Sequence, residues 1–255
     1  MSKHGTLVSL AVGAALTLAF MGCEKQGSMT GPTPLGLAAG GAAVNANETR
    51  IAPPFSASNF TAGVANPYFP LTPGLFLIYR QDTPDGVEID TVEVTHDTKG
   101  ILGVTTTVVH DRVYLNGALS EDTFDWYAAD NDGNVWYFGE DTRTVGPPVS
   151  TTGSWEAGQA GALPGLIMLA HPMVGDVYQQ ENAPGVVADE ARVKGLDETI
   201  TVPYGTFTGC IKTQEWTPIE PGSRAFKYYA SGVGTVLEAE NKKGGPVELT
   251  AVIRP

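Results

Sequence analysis

The stretch that decides the fold runs from Thr123 to Thr142, TFDWYAADNDGNVWYFGEDT. Aromatic-rich runs flank Asp130-Asn131-Asp132-Gly133-Asn134, a cluster whose short polar side chains bond their own backbone and tolerate left-handed conformations. The segment reads as a β-hairpin, and the acidic residues crowding it read as turn chemistry and a solvated rim. A calcium loop of the EF-hand type is a poor match, because its glycine would stand two positions further on.

Outward from this hairpin, runs rich in Val, Thr, Ile and Tyr recur in both directions, cut by Gly, Pro, Asn and Asp. Gly103 to Leu115 alternates, which places Val104, Thr106, Val108, His110, Arg112 and Tyr114 on one face and Thr105, Thr107, Val109, Asp111, Val113 and Leu115 on the other. His110 and Asp111 therefore point apart and form no dyad. The best short helical candidate, Pro164 to Ala170, is apolar all round and equally suits a buried strand or loop.

The hairpin has a faint copy near the C-terminus. Phe124-Asp125-Trp126-Tyr127-Ala128 parallels Phe226-Lys227-Tyr228-Tyr229-Ala230, and Gly133-Asn134-Val135 parallels Gly234-Thr235-Val236. Upstream, Gly86 to Val94 parallels Gly185 to Val193, Gly103-Val104 parallels Gly209-Cys210, and Pro73-Gly74 with Tyr79 answers Gly175 with Tyr178. Matched islands in one order point to a duplicated unit of five or six strands. Two units give about eleven antiparallel strands, enough for a sandwich or a partly closed barrel. The expected division is a signal peptide over 1–22, a tether over 23–58 and an all-β domain over 59–255, with repeat units 71–142 and 173–255 and a connector 143–172.

The N-terminus reads as an export signal. Lys3 and His4 precede an apolar run from Leu7 to Met21, then Gly22-Cys23 and the polar Glu24-Lys25-Gln26. The Gly-Cys ending resembles the bacterial lipoprotein signal, which implies cleavage before Cys23 and a lipid on its sulfur. Val44-Asn45-Ala46 offers a competing conventional cleavage site. Gln26 to Ser58, rich in Gly, Ala, Pro, Ser, Thr and Asn, reads as a flexible tether. Of the two cysteines, a lipidated Cys23 leaves Cys210 alone, as core packing without a disulfide.

The 255 residues carry 28 acidic against 15 basic side chains, a net charge of -13 that repels phosphates and excludes nucleic acid as a partner. No Gly-x-Ser-x-Gly elbow, clustered His or Cys set, or phosphate loop is present, so neither catalysis nor a cofactor or metal is read from the motifs. Two chemical possibilities remain. Asp125 and Glu140, in the acidic cluster, have the residue types of a hydrolytic acid pair. Trp126, Trp136, Tyr137, Trp155 and Tyr228 have flat faces that suit an apolar or sugar ligand, and equally suit a β-core.

NPYFPL at Asn66, GNVWYFGED at Gly133, GSWEAG at Gly153, VPYG at Val202 and YYASGVG at Tyr228 resemble an uncharacterised family of secreted bacterial proteins, many with lipoprotein signals. The resemblance spans Asn66 to about Glu240 and implies a lipid-anchored location in the cell envelope. YYASGVG also looks like the last hairpin of half-barrel periplasmic proteins that hold acyl chains. The sequence thus leaves three expected roles: an envelope lipoprotein binding a hydrophobic or amphiphilic small molecule, a structural or interaction module of the envelope, or a hydrolase using the acidic cluster.

Overall fold

The computed structural model describes residues 48–240 and 244–255; the export signal, Cys23 and the competing cleavage site lie outside them. In chain order the strands are β1 (Thr49–Ile51), β2 (Phe76–Thr83), β3 (Gly86–Ile101), β4 (Val104–Leu115), β5 (Ala118–Ala129), β6 (Val135–Thr144) and β7 (Trp155–Glu156). They continue with β8 (Gly165–Met168), β9 (Asp176–Gln179), β10 (Glu190–Val202), β11 (Gly205–Trp216), β12 (Arg224–Ala230), β13 (Gly234–Glu240) and β14 (Val247–Ile253). Helical structure among the described residues is one short turn, Ala57–Phe60.

All fourteen strands of the described residues belong to one sheet, ordered β1-β9-β10-β11-β12-β13-β14-β2-β3-β4-β5-β6-β7, with β8 added on β6. The all-β expectation holds, but the strand count is higher than about eleven and there is one sheet, neither a two-sheet sandwich nor a closed barrel. The extra strands are short: β1, β7 and β8 have two to four residues each, too few to show a period in sequence. Pairing is antiparallel except for β1 on β9.

The sheet comprises two meanders, β2–β6 and β9–β13, joined through β14. Three of the paired islands fall as follows. The glycines Gly133 and Gly234 stand at the β5–β6 and β12–β13 turns. Gly103, however, lies in the β3–β4 turn, whereas Gly209 lies inside β11, and Val87 is in β3 while Val186 precedes β10. The expected connector 143–172 contains β7 and β8, both paired to β6, and Pro164 to Ala170 is resolved as the buried strand β8.

Two bulges set which side chains face inward. In β3, Thr95, His96 and Asp97 stand opposite Val108, which shifts the phase of β4, so Val104 and Thr106 are buried and then Val109, Asp111 and Val113. The uninterrupted alternation expected for Gly103 to Leu115 fails at that point. His110 does point away from Asp111, toward Asp122 at 2.6 Å. In β6, Phe138 and Gly139 oppose Trp126 alone, so Tyr137 and Glu140 both turn inward, facing Tyr127 and Asp125. Gly139 has φ 128°, and a Cβ there would lie 2.2 Å from the Trp155 carbonyl oxygen.

One apolar core draws on both meanders. The expected tether is already part of the fold at its end: Thr49–Ile51 pairs with β9, Arg50 and Arg192 bind Glu190 and Glu48 at 2.6 Å, and Phe55 and Phe60 pack edge-on to Trp136 and Phe138. Apolar Phe55 and Ile51 are what the compositional reading of 23–58 overlooked. Cys210 is buried in the core, where desolvation raises its thiol pKa and keeps it inert.

Candidate functional site

The turn that organised the sequence reading is built as its residues demand. Asp130 Oδ1 accepts the backbone N–H of Asp132 at 3.0 Å and of Asn134 at 2.9 Å, and its Oδ2 accepts from the Asn134 amide and the Trp136 indole, both at 2.9 Å. With its acceptors committed, Asp130 closes a turn and is not offered to a cation. Among the described residues no group of three or more His, Cys, Asp or Glu is arranged to hold a metal ion.

The segment from Asn66 to Leu71 straps across this end of the sheet. Asn66 donates from its amide to the carbonyls of Gly133 and Leu169, at 2.8 and 3.1 Å, and accepts from the Tyr68 N–H at 2.9 Å. Pro67 C=O accepts from Gly232 N–H at 2.7 Å, so the strap ties the β5–β6 and β12–β13 turns together. Phe69 reaches under it onto Tyr127, with ring centroids 5.0 Å apart.

Two spaces flank the strap. Inside the sheet, an apolar cavity of about 30 Å³ lies among Phe69, Leu75, Leu77, Val92, Val109 and Tyr127. Between the strap and β4 and β5 lies a cleft of about 290 Å³. The residues lining it include Phe60, Phe69, Thr72, Thr105, Thr107 and Ala128, and none of the described residues that line it is charged. Most other strand threonines spend their hydroxyl on a partner, as Thr95 does on Val108 C=O and Thr106 on Lys99 C=O.

The inward face beyond the small cavity is not apolar. Asp90, Asp111, Glu121, Asp125 and Glu140 are all buried there, with Asp125 and Glu140 each 2% exposed, and Glu181 from the β9–β10 connection is 1% exposed. Tyr137 donates to Asp125 Oδ1 at 2.5 Å, and Thr123 bonds Thr142 at 2.7 Å. Burial first, and then neighbouring carboxylates, push Asp90, Asp125, Glu140 and Glu181 well above their ordinary range: the chief such neighbour is Asp111 for Asp90 and Asp125, Asp125 for Glu140, and Asp189 for Glu181. Asp189 is pushed from 3.8 up to about 6, again chiefly by burial. The other half supplies a cation. Lys227 lies 3.0 Å from Glu215 and 3.7 Å from Glu238, and Tyr229 and Thr213 also donate to Glu215, at 2.9 and 2.8 Å.

The five aromatic candidates are dispersed. Trp126 packs beneath the Lys99 ammonium, 3.2 Å from the ring centroid. Trp136 is held by Asp130 and by Phe55 and Phe60; Tyr137 stacks on Tyr127 at 4.6 Å and meets Trp155 edge-on at 5.3 Å. Tyr228 is half-buried beside Lys212. None of the five lines the cavity or the cleft. The acid pair Asp125 and Glu140 is brought together across β5 and β6. The other inward acids were overlooked although their phase gave a signal: Glu88 and Asp90 alternate in step with Val92 and Val94, and Asp111 with Val109 and Val113.

No family model matches the chain, and no curated protein is similar to it. Among solved structures, it is similar to a candidate lipoprotein of Parabacteroides distasonis ATCC 8503, at 12% identity and a TM-score of 0.42, over 74% of this chain and 100% of that one. It is also similar to a candidate exported protein with a YmcC-like fold from Bacteroides fragilis NCTC 9343, at 15% identity and a TM-score of 0.41, with the same coverage of 74% and 100%.

Proposed function

We propose that the chain is an exported, lipid-anchored protein of the bacterial cell envelope that binds a small uncharged molecule in the cleft beneath the Asn66–Leu71 strap. The observation that carries this reading is the cleft's lining: two aromatic residues, three threonines whose hydroxyls have no hydrogen-bond partner among the described residues, and no charge on a chain of net charge -13. A volume of about 290 Å³ stands at the small end of ligand sites, which run from roughly 300 Å³ upward. Hydroxyls beside an apolar wall suit a polyhydroxylated ring with one apolar face. An acyl chain inside the sheet is disfavoured, because the apolar cavity there holds about 30 Å³ and buried carboxylates occupy the rest of that face. The acid pair is equally poorly placed for hydrolysis, since Asp125 and Glu140 at 2% exposure meet no solvent.

Titrating isotope-labelled protein with a panel of methyl glycosides and polyols is expected to shift the amide signals of Thr105, Thr107, Ala128 and Ala129. Thr107→Val, which removes one hydroxyl at constant shape, should weaken binding about tenfold, equivalent to ~1.4 kcal/mol. A panel that moves none of those signals would leave the interaction module as the better reading. Anchoring has its own check: Cys23→Ser should move the protein from the membrane to the soluble fraction and abolish incorporation of labelled fatty acid. Unchanged fractionation would remove the anchor from the proposal.

A further inference from the structure

The two ends of the sheet meet at a seam. Leu163 N–H donates to Asn182 C=O at 2.9 Å, and Gly165 of β8 lies so close to the other side that a Cβ on it would stand 2.1 Å from the Gln180 carbonyl oxygen. Strand pairing does not continue across it; an isolated bridge, Leu163 to Asn182, is what joins the edges there. Acids from both sides are buried close to this bridge. Glu140 and Asp125 come from the β5–β6 side; Glu181 stands between Gln180 and the bridging Asn182, and its N–H donates to the Asp189 C=O at 3.2 Å. Each pair lies within electrostatic reach of the other. Among the described residues, both carboxylate oxygens of Glu181 and Oε2 of Glu140 find no hydrogen-bond donor.

We propose that this seam is a proton-held latch: Glu140 and Asp125 on one side and Glu181 and Asp189 on the other share a dry interior in their protonated form, and ionisation parts the two ends of the sheet. Charge accounting requires it. On the first side Asp111, Glu121 and the phenols of Tyr127 and Tyr137 surround Glu140 and Asp125, and none of them is basic. On the second side Lys227 is the buried base among the described residues, and Glu215 and Glu238 already hold it. Tyr137 donates to Asp125 and Thr217 to Asp189, and Lys227 draws the pKa of Glu181 and of Asp189 down. Four ionised acids would still outnumber the cations of a dry interior, an arrangement that proteins avoid by keeping the proton or by opening to water.

The sign of the effect follows from the raised acidities. An unfolded chain loses these protons in the ordinary carboxylate range, while the folded chain keeps them to higher pH. Folding therefore takes up protons, and the stability contributed by the cluster is greatest below the ordinary range and falls as pH rises; for Asp189 the window runs from 3.8 to about 6. The more deeply buried Glu181, Glu140 and Asp125 extend it upward.

The test is hydrogen exchange of the full chain at pH 6 and pH 9, corrected for intrinsic rates. Amides of Gly165–Met168 and residues 179–182 should lose about tenfold of their protection at the higher pH, while β3 and β4 keep theirs. Glu181→Gln, which mimics the protonated acid, should flatten that dependence and raise the melting temperature at pH 8 by about 3 °C. Glu140→Gln provides the same reading from the opposite side should the first variant fold poorly. Seam protection that does not change with pH, or a glutamine variant that keeps the wild-type dependence, overturns the proposal. So does stabilisation by calcium with proton release, which would make the four acids a cation site.

Discussion

Lys227→Met is expected to destabilise the domain by about 3–5 kcal/mol near neutral pH, one of the two largest losses for any single change. Methionine fills a similar volume, so the cost is electrostatic: Glu215 and Glu238, 3.0 and 3.7 Å from the ammonium, lose the cation they share in a buried setting. Burial alone would lower the lysine pKa, but Glu215 and then Glu238 hold it above its ordinary 10.5. The stability it lends is therefore complete throughout the physiological range and is lost only under strongly alkaline conditions. Urea denaturation at pH 7.5 gives the size of the effect. Lys227→Met combined with Glu215→Gln should recover part of the deficit, because it removes one of the two buried negative charges. A variant as stable as the wild type at pH 7.5 would show that the ion pair adds nothing.

Gly139→Ala carries the second large effect. Its φ of 128° is a conformation that side chains rarely adopt, and the new Cβ would meet the Trp155 carbonyl oxygen at 2.2 Å and Glu156 Cα at 2.9 Å. Backbone cannot yield as a flexible side chain can, so a loss of about 3 kcal/mol or more is expected, lowering the melting temperature by roughly 10 °C. Gly117→Ala is the control. It has a φ of 83° and no atom within 4 Å of the added Cβ, so it should cost about 1 kcal/mol from conformation alone. Calorimetry that finds the two variants equal would assign the whole effect to backbone conformation and none to the approach of β7.

The same glycine shows what a sequence of this kind conceals. Aromatic-rich runs on either side of a turn cluster were enough to read a hairpin in Thr123 to Thr142, and the Asp130 turn forms with the bonds its residue types predict. Which face each residue takes was not legible, because one extra residue at Gly139 changes the phase of everything beyond it, and Thr95 to Asp97 does the same to β4. Acidic residues compounded the difficulty. Carboxylates in a strongly acidic chain are ordinarily solvated, yet Asp90 follows the phase of Val92 and Asp111 that of Val113, and both are inside. The aromatics misled in the opposite direction: Trp126 and Trp136 stack on a lysine, on Phe55 and on Phe60, so they complete packing away from the cleft. The cleft itself owes its form to the strap, and nothing local in NPYFPL reveals that Asn66 will bond Gly133 and Leu169, distant by 67 and 103 residues.

The position of β14 bears on the order in which such a chain can assemble. Val247–Ile253 follows all thirteen other strands in the chain yet sits in the middle of the sheet, with β13 on one side and β2 on the other. Until that segment has emerged from the ribosome, the open flanks of β2 and β13 have no neighbour and the two meanders are separate sheets. Their union is thereby postponed until β14 is available, a keystone that is laid after the arch on either side.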